Sequence, residues 1–246
     1  MDVVAGVDAL RPEHGPAFAV IGVFDGLHLG HAYLLEHLVR EAAVRSARPT
    51  VITFDHHPDE VLTGSAPPLL MDPAERLERL AAAGVAVTVV QHFDDAVRRT
   101  TYDDFVHAIA SRAGLAGLLM TPDAAFGYER AGTPDALTAL GERDGFDVVV
   151  VEPFTLDGRA VRSSEIRSAI ADGDLTGAAR LLGRPITLRG HLAGGALRLE
   201  QPHALPPGGS YPCSIGGERG TLAISDGGLR LEAPGTAEGP VELRFA

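Results

Sequence analysis

The alternation of short apolar runs with segments of helical periodicity constrains the fold of this chain most. The run AFAVIGV (17–23) is typical of a buried strand, and HAYLLEHLVREAAVRSA (31–47) places apolar residues at helical spacing. Further strands are predicted at TVITF (50–54), VAVTVVQHF (85–93), GLLM (117–120) and DVVVVEPF (147–154). Helices are predicted between them, over 72–83 with Asp72 as N-cap and Pro73 as first helical residue, and over 102–112. This order predicts a parallel sheet covered by helices on both faces.

The pattern changes near residue 184. Two more helical segments, SSEIRSAIADG (163–173) and DLTGAARLLG (174–183), precede the change, and glycine, proline and short alternating runs follow it. The runs ITLRGHLA, GTLAIS, LRLEA and VELRFA predict short antiparallel strands. We therefore predict an α/β domain over 1–184 and a small all-β domain over 185–246.

Composition excludes several classes of protein. The formal charge of −12, from 21 Lys and Arg against 33 Asp and Glu, disfavours a broad nucleic-acid surface. The single cysteine, Cys213, allows neither an internal disulfide nor a Cys-based zinc site. No apolar run approaches the roughly 20 residues of a membrane helix, and MDVVAGVDAL does not resemble a signal peptide. We expect a cytoplasmic protein without nucleic-acid or membrane partners, and nothing in the sequence indicates its oligomeric state.

A glycine- and histidine-rich segment, GVFDGLHLGH (22–31), lies where the first strand passes into a helix. Ligands of open α/β sheets bind at this edge, and backbone N–H groups at a helix start attract phosphate. His28 and His31 would donate hydrogen bonds to one anion, which suits attack on the α-phosphorus of a nucleoside triphosphate. With no third ligand at suitable spacing, the pair does not predict a protein metal site. The nucleotide-binding candidates in this segment are Gly22, Phe24, Asp25, Gly26 and Gly30.

Four segments resemble motifs of the bacterial FAD synthetase family, the bifunctional riboflavin kinase/FMN adenylyltransferases. They are VFDGLHLGH (23–31), TFDHHP (53–58), DAAFGYERAGT (123–133) and VRSSEIR (161–167), and they occur in the family's order. Three positions depart from the family pattern: Ala124 replaces an aromatic residue, Arg162 stands where the family usually has its first serine, and Ser164 stands where it has threonine.

The resemblance implies a Rossmann-like nucleotidylyltransferase domain that transfers AMP from ATP to FMN, giving FAD and pyrophosphate with Mg²⁺. His28, His31 and Arg167 would be catalytic, while Ser163 and Ser164 would bind the β- and γ-phosphates. The residues implied to bind flavin are Asp55, His57, Pro58, Asp123, Phe126 and Gly127.

The C-terminal region departs from the family. Arg184-Pro185 and the residues that follow resemble the start of the riboflavin kinase domain, but the Pro-Thr-Ala-Asn segment that holds Mg-ATP there is absent from the sequence. We expect a degenerate kinase remnant without kinase activity. Two alternatives stay open: a nucleotidylyltransferase with another nucleotide or phosphate-bearing acceptor, which Ala124 and Arg162 would permit, and a non-catalytic flavin-nucleotide binding protein.

Overall fold

A six-stranded parallel sheet organises the first part of the chain in the computed structural model, which describes residues 1–232 and 238–246. Its strands are β1 (Asp2–Ala5), β2 (Ala17–Ile21), β3 (Arg48–Phe54), β4 (Val87–Gln91), β5 (Leu115–Met120) and β6 (Asp147–Val150). They are ordered β1-β4-β3-β2-β5-β6. The five predicted strands are present, and β1, which the sequence did not reveal, pairs with β4. The predicted parallel α/β architecture is confirmed.

Eight α-helices lie within the described part of the chain. They are α1 (Leu29–Val44), α2 (Pro58–Thr63), α3 (Pro73–Ala82), α4 (Asp95–Arg99), α5 (Tyr102–Ala113), α6 (Pro134–Asp144), α7 (Ser163–Ala171) and α8 (Leu175–Leu182). The predicted cap of α3 is confirmed, because the Asp72 carboxylate accepts from the backbone N–H of Ala74 at 2.8 Å. Sequence analysis missed α2, α4 and α6. Among the described residues, no helix has both the length and the apolar character needed to cross a membrane.

A closed antiparallel barrel follows the helices. Its strands are β9 (Thr187–Ala193), β10 (Ala196–Arg198), β11 (Gly209–Ile215), β12 (Glu218–Ser225), β13 (Gly228–Glu232) and β14 (Gly239–Phe245), after a short hairpin of β7 (Thr155–Leu156) and β8 (Arg159–Ala160). The barrel encloses Leu188, Leu222 and Leu243, each at most 1% exposed. The predicted all-β region is therefore confirmed. The last residue of the predicted strand LRLEA, Ala233, lies outside the described residues.

The chain divides into two compact units. The first comprises residues 1–24, 30–67 and 77–155, and the second comprises residues 25–29, 68–76 and 156–246. The core of the first unit contains Ala19 and Ile52 of the sheet and Val106 and Ile109 of α5, all fully buried. The second unit contains the barrel, α7, α8 and the turn at 25–29. A domain boundary at residue 184 stays a prediction.

Candidate functional site

The glycine- and histidine-rich segment forms the turn that precedes α1. Positive φ angles occur at Phe24 (54°), Gly26 (79°) and Leu27 (35°), a backbone region that non-glycine residues rarely adopt. At Gly26 a Cβ would lie 2.9 Å from Leu70 Cδ1 and 3.0 Å from Leu70 Cβ, so Leu70 would have to shift to accommodate a side chain. The backbone therefore needs tertiary contacts to hold this conformation.

Asp25 supplies several of these contacts. Its buried carboxylate accepts from the backbone N–H of Leu70 at 3.0 Å to each oxygen, and from Arg167 Nη2 at 2.6 Å. Its backbone carbonyl accepts from Ser163 Oγ at 3.1 Å. Arg167 Nε in turn donates to the carbonyl of Pro68 at 2.8 Å. Asp25 therefore joins the turn to α7 and fixes the orientation of Arg167 within the second unit.

His28 is buried, at 4% exposure. Burial, followed by the positive charges of Arg184 and Arg167, lowers the pKa of its imidazole to about 4. The ring is therefore neutral at neutral pH, when one ring nitrogen can donate a hydrogen bond and the other can accept one. An anion that approached His28 would favour the protonated form and raise this pKa.

His31 lies in the first turn of α1 and belongs to the first unit. Its ring is tilted against the ring of Phe24, with a centroid distance of 5.0 Å. Gly22, two residues before Phe24, donates its N–H to the carbonyl of Ile52 at 3.0 Å. A Cβ at Gly22 would lie 3.1 Å from the Phe24 ring, which is tighter than an ordinary contact. These glycine and aromatic residues therefore pack closely at the end of β2.

Helix α7 begins at Ser163, as the sequence predicts. Arg162 holds the N-cap position in an extended conformation, and its side chain does not cap the helix. The Ser163 hydroxyl is directed to the Asp25 carbonyl, whereas Ser164 lines an open cavity of about 600 Å³ in the second unit. The first N–H groups of an α-helix have no partner within the helix and carry a partial positive charge, so this helix start suits an anion.

A second cavity, of about 620 Å³, lies within the first unit near the carboxyl ends of the strands. Of the residues predicted to bind ligands, Gly22, Pro58, Phe126 and Gly127 line it. Residues that the sequence analysis did not single out also line it, including Phe54, Phe93, Phe105, Tyr128, Arg98 and Arg130. Phe54 ends β3 and Phe93 follows β4. Their positions at the carboxyl ends of predicted strands could have identified them from the sequence as candidate ligand-binding residues.

The walls of this cavity are aromatic and closely packed. Phe54 and Phe93 meet edge to face with a centroid distance of 5.3 Å, and Phe105 and Phe126 do so at 6.0 Å. Gly127 has a φ of 76°, and a Cβ there would lie 2.5 Å from the backbone nitrogen of Tyr102. Only glycine allows this approach. The cavity therefore suits a flat, mostly apolar ring system.

The other residues predicted to bind flavin do not line this cavity. His57 Nδ1 accepts from the N–H of Asp59 at 3.2 Å, so His57 caps α2. Asp123 Oδ1 accepts from Thr121 Oγ1 at 2.8 Å. Asp55 lies beyond β3 in the exposed cluster described next.

Asp55, His56 and His92 form a cluster whose three possible metal-ligand atoms lie within 4.8 Å of one another. Burial would raise the pKa of the Asp55 carboxyl, but hydrogen bonds from His92 and His56 outweigh burial and lower it. The Asp55 hydrogen bond raises the pKa of His92. Imidazole and carboxylate together suit a transition metal better than Mg²⁺, which prefers oxygen ligands. The cluster is exposed, and its hydrogen bonds already account for its geometry.

Comparison with known proteins identifies the family of this chain. The family model described as FAD synthetase matches residues 10–165. A bifunctional riboflavin kinase/FMN adenylyltransferase of Pseudomonas fluorescens is 35% identical over 79% of this chain and 63% of its own length. Its counterpart from Haemophilus influenzae is 34% identical over 79% of this chain and 64% of its own length. The chain thus spans less than two thirds of the curated relatives that it matches.

A solved structure, titled as a macrolide-efflux protein from Streptococcus pneumoniae, has a similar fold. Its TM-score is 0.83 at 22% identity, over 99% of this chain and 88% of that one. At this identity the likeness concerns the fold alone. This similarity in fold extends beyond residues 10–165, which the family model covers, and includes the barrel.

Proposed function

Because the chain belongs to the FAD synthetase family, we propose that it is an FMN adenylyltransferase, which converts FMN and MgATP to FAD and pyrophosphate. The observation that carries the proposal is the aromatic cavity of the first unit. It is lined by Pro58 from the TFDHHP segment and by Phe126 and Gly127 from the DAAFGYERAGT segment. Two segments far apart in the sequence that resemble family motifs therefore contribute to one apolar cavity.

In the proposed reaction, a phosphate oxygen of FMN attacks the α-phosphorus of ATP. The new P–O bond forms as the bond from the α-phosphorus to the bridging α–β oxygen breaks, and pyrophosphate leaves with Mg²⁺. No covalent enzyme intermediate is needed, so the protein contributes by positioning the reactants and by stabilising charge. Mg²⁺ would be held by the triphosphate, and the Asp25 carboxylate would not hold it, because the Leu70 N–H and Arg167 already donate to that group.

The histidine- and serine-bearing segments account for charge stabilisation in this proposal. His28, neutral when no anion is bound, donates a hydrogen bond to the α-phosphate and becomes more basic as negative charge develops there. His31, in the first turn of α1, is proposed as the second catalytic histidine. Arg167, held by Asp25 and Pro68, provides a fixed positive charge beside the start of α7, where Ser163 and Ser164 would meet the β- and γ-phosphates.

The flavin is proposed to insert its ring system among the aromatic residues of the first unit. Phe126 and Phe54 would contact the ring faces or edges, and burial of the apolar ring favours binding. Arg98 and Arg130 also line this cavity and would attract the FMN phosphate. His57 and Asp123, which lie outside the lining, would influence the flavin only through the loops that they stabilise.

We further propose that the chain lacks riboflavin kinase activity and acts in the cytoplasm without nucleic-acid partners. The barrel is closed by strands β9 to β14, but the sequence contains no Pro-Thr-Ala-Asn segment. Without that segment the barrel has lost the residues that resemblance assigns to Mg-ATP. The barrel would then be retained for its packing.

The test is an incubation of the purified chain with FMN and MgATP, in parallel with riboflavin and MgATP, with chromatography of the flavins. FAD from FMN, with no FMN from riboflavin, is the expected result. FMN formed from riboflavin would contradict the loss of kinase activity. FAD absent from the FMN reaction, in spite of flavin binding, would contradict adenylyl transfer, and replacing ATP by CTP or GTP then tests another nucleotide.

A further inference from the structure

The turn that carries His28 has a backbone conformation that its own residues do not favour. Leu27, the residue immediately before the histidine, has a φ of 35°, although it has a branched side chain. Gly26 has a φ of 79°, which glycine adopts readily, so the strained angle is that of Leu27. Such angles persist only where surrounding contacts determine them, and they occur often at functional sites. The contacts at Gly26 and Leu27 therefore control where the His28 ring lies.

The Arg184 side chain makes these contacts. Its Nη2 donates to the carbonyl of Gly26 at 2.6 Å, and its Nη1 donates to the carbonyl of Leu27 at 3.1 Å. The two nitrogens of one rigid, planar guanidinium thus hold two successive peptide carbonyls. A lysine has a single nitrogen and does not reproduce this fork geometry.

The start of the Arg184 side chain is itself fixed by the end of α8. Gly183 ends the helix in the left-handed conformation, and the Arg184 N–H donates to the carbonyl of Ala179 at 3.1 Å. A Cβ at Gly183 would lie 2.5 Å from Leu29 Cδ2, so the helix end packs against the residue that follows His28. Arg184 therefore reaches the turn from a rigid base.

The geometry points to Arg184 as a positioning residue, whose guanidinium holds the two peptide carbonyls that precede His28 and so fixes the location of the imidazole. This inference rests on the proposed function for its effect on turnover. The residue belongs to the Gly-Arg-Pro turn, just before β9 begins at Thr187. The start of the barrel region thus contributes directly to the histidine turn, which gives a physical reason to retain it in a chain without kinase motifs.

Charge provides a second effect of the same side chain. The positive charges of Arg184 and Arg167, both in the second unit, act on His28, and Arg167 in turn donates to the Asp25 carboxylate. The guanidinium of Arg184 contributes to the low pKa of His28 after the larger effect of burial. Removal of this charge should therefore raise the pKa of His28, whereas a lysine at position 184, which keeps the charge, should leave the pKa low.

The experiment compares wild type with Arg184→Gln and Arg184→Lys. The matched control is Arg244→Gln, because Arg244 lies on β14 of the same unit, is exposed and pairs with Glu242. Turnover, KM for FMN and KM for MgATP are measured by FAD formation. The pKa of His28 is measured by NMR of labelled histidine, with the signal assigned from a His28→Asn protein. Urea unfolding shows whether each variant is folded.

For Arg184→Gln we expect turnover to fall by roughly 10- to 100-fold with KM for FMN changed less than about 2-fold, since small misplacement of a reacting group lowers the rate without loss of binding. The pKa of His28 should rise. For Arg184→Lys the pKa should stay low because the charge remains, yet turnover should still fall because the fork is lost. Arg244→Gln should match wild type in every measurement.

Wild-type turnover in Arg184→Lys would overturn the inference, and so would an unchanged pKa of His28 in a folded Arg184→Gln protein. If Arg184→Gln does not fold, the turnover of Arg184→Lys decides whether the inference holds. If the proposed function itself is wrong, the wild-type protein forms no FAD, which distinguishes that failure from a failure of the inference about Arg184. In that case the titration of His28 in the variants, together with hydrogen exchange of the 26–28 amides, still tests whether Arg184 holds the turn.

Discussion

Replacement of Asp25 by asparagine tests the buried hydrogen bonds that organise the histidine turn. In the wild type the Asp25 carboxylate, 4% exposed, accepts from Arg167 Nη2 at 2.6 Å and from the backbone N–H of Leu70 at 3.0 Å. The side chain of Arg167 is itself only 17% exposed. Asparagine has nearly the same shape, but it removes the negative charge and replaces one acceptor oxygen by a donor NH₂ group.

The expected loss of stability follows from these contacts. The hydrogen bond from the Arg167 guanidinium to the Asp25 carboxylate contributes about 1.5–3 kcal/mol. The hydrogen bond from the Leu70 N–H would be made to a neutral amide in place of a carboxylate, and it loses about 1 kcal/mol. We therefore expect Asp25→Asn to lower the free energy of unfolding by about 3 kcal/mol, the lower end of the range for breaking a buried ion pair. With a urea dependence of about 3 kcal/mol per molar, the unfolding midpoint would fall by roughly 1 M.

The assay is urea unfolding of wild type, Asp25→Asn and a matched control, Asp174→Asn. Asp174 caps α8 and accepts from the N–H of Gly177 at 2.8 Å. Asparagine is as good an N-cap as aspartate, so the control should change stability by no more than about 0.5 kcal/mol. An Asp25→Asn midpoint within the error of the control would refute the reasoning, because it would mean that the Asp25–Arg167 pair contributes no net stability.

Three further predictions concern a titrating histidine, a glycine and a buried threonine. The pKa of His28 falls from 6.5 to about 4 on folding, so its contribution to stability is full above pH 6.5 and is lost as the pH falls towards 4. By urea titration, wild type should lose about 2 kcal/mol more than His28→Asn between about pH 7 and pH 5. Gly127→Ala should weaken flavin binding at least ~10-fold by fluorescence quenching, because its Cβ would lie 2.5 Å from the backbone nitrogen of Tyr102 and displace the cavity wall. Thr187→Val removes a hydroxyl that donates to the buried Glu75 carboxylate at 3.0 Å, and should lower the free energy of unfolding by about 1–3 kcal/mol in urea.

Each of these has its own control. Equal pH dependence in wild type and His28→Asn would contradict the low pKa of His28. Gly145 also has a positive φ, but nothing lies within 4 Å of its Cβ position, so Gly145→Ala should leave flavin binding unchanged. Equal binding by the two alanine variants would count against the packing argument at Gly127. Thr187→Ser keeps the hydroxyl and should retain most of the stability that Thr187→Val loses.

Local patterns in the sequence were sufficient for most of the parallel sheet and for several helix starts. Residues 50–54 read as a buried strand because both faces of such a strand are covered, and Asp72-Pro73 marked a helix start by capping chemistry. Strands β1, β10 and β11 were not predicted from the sequence, because they are short or contain glycine and proline. They are strands because long-range partners pair with them, as β12 and β14 pair with β11. Pairing of this kind leaves little local signal.

The sequence by itself determined the order of the elements, the family resemblance and the place of the histidine turn between a strand and a helix. Only the tertiary structure decided what holds that turn. Asp25 meets Arg167 across 142 positions of sequence, and Arg184 meets Gly26 across 158. It also decided which aromatic residues line the cavity of the first unit. Contacts of this kind depend on how separated segments pack, and no spacing within one segment encodes them.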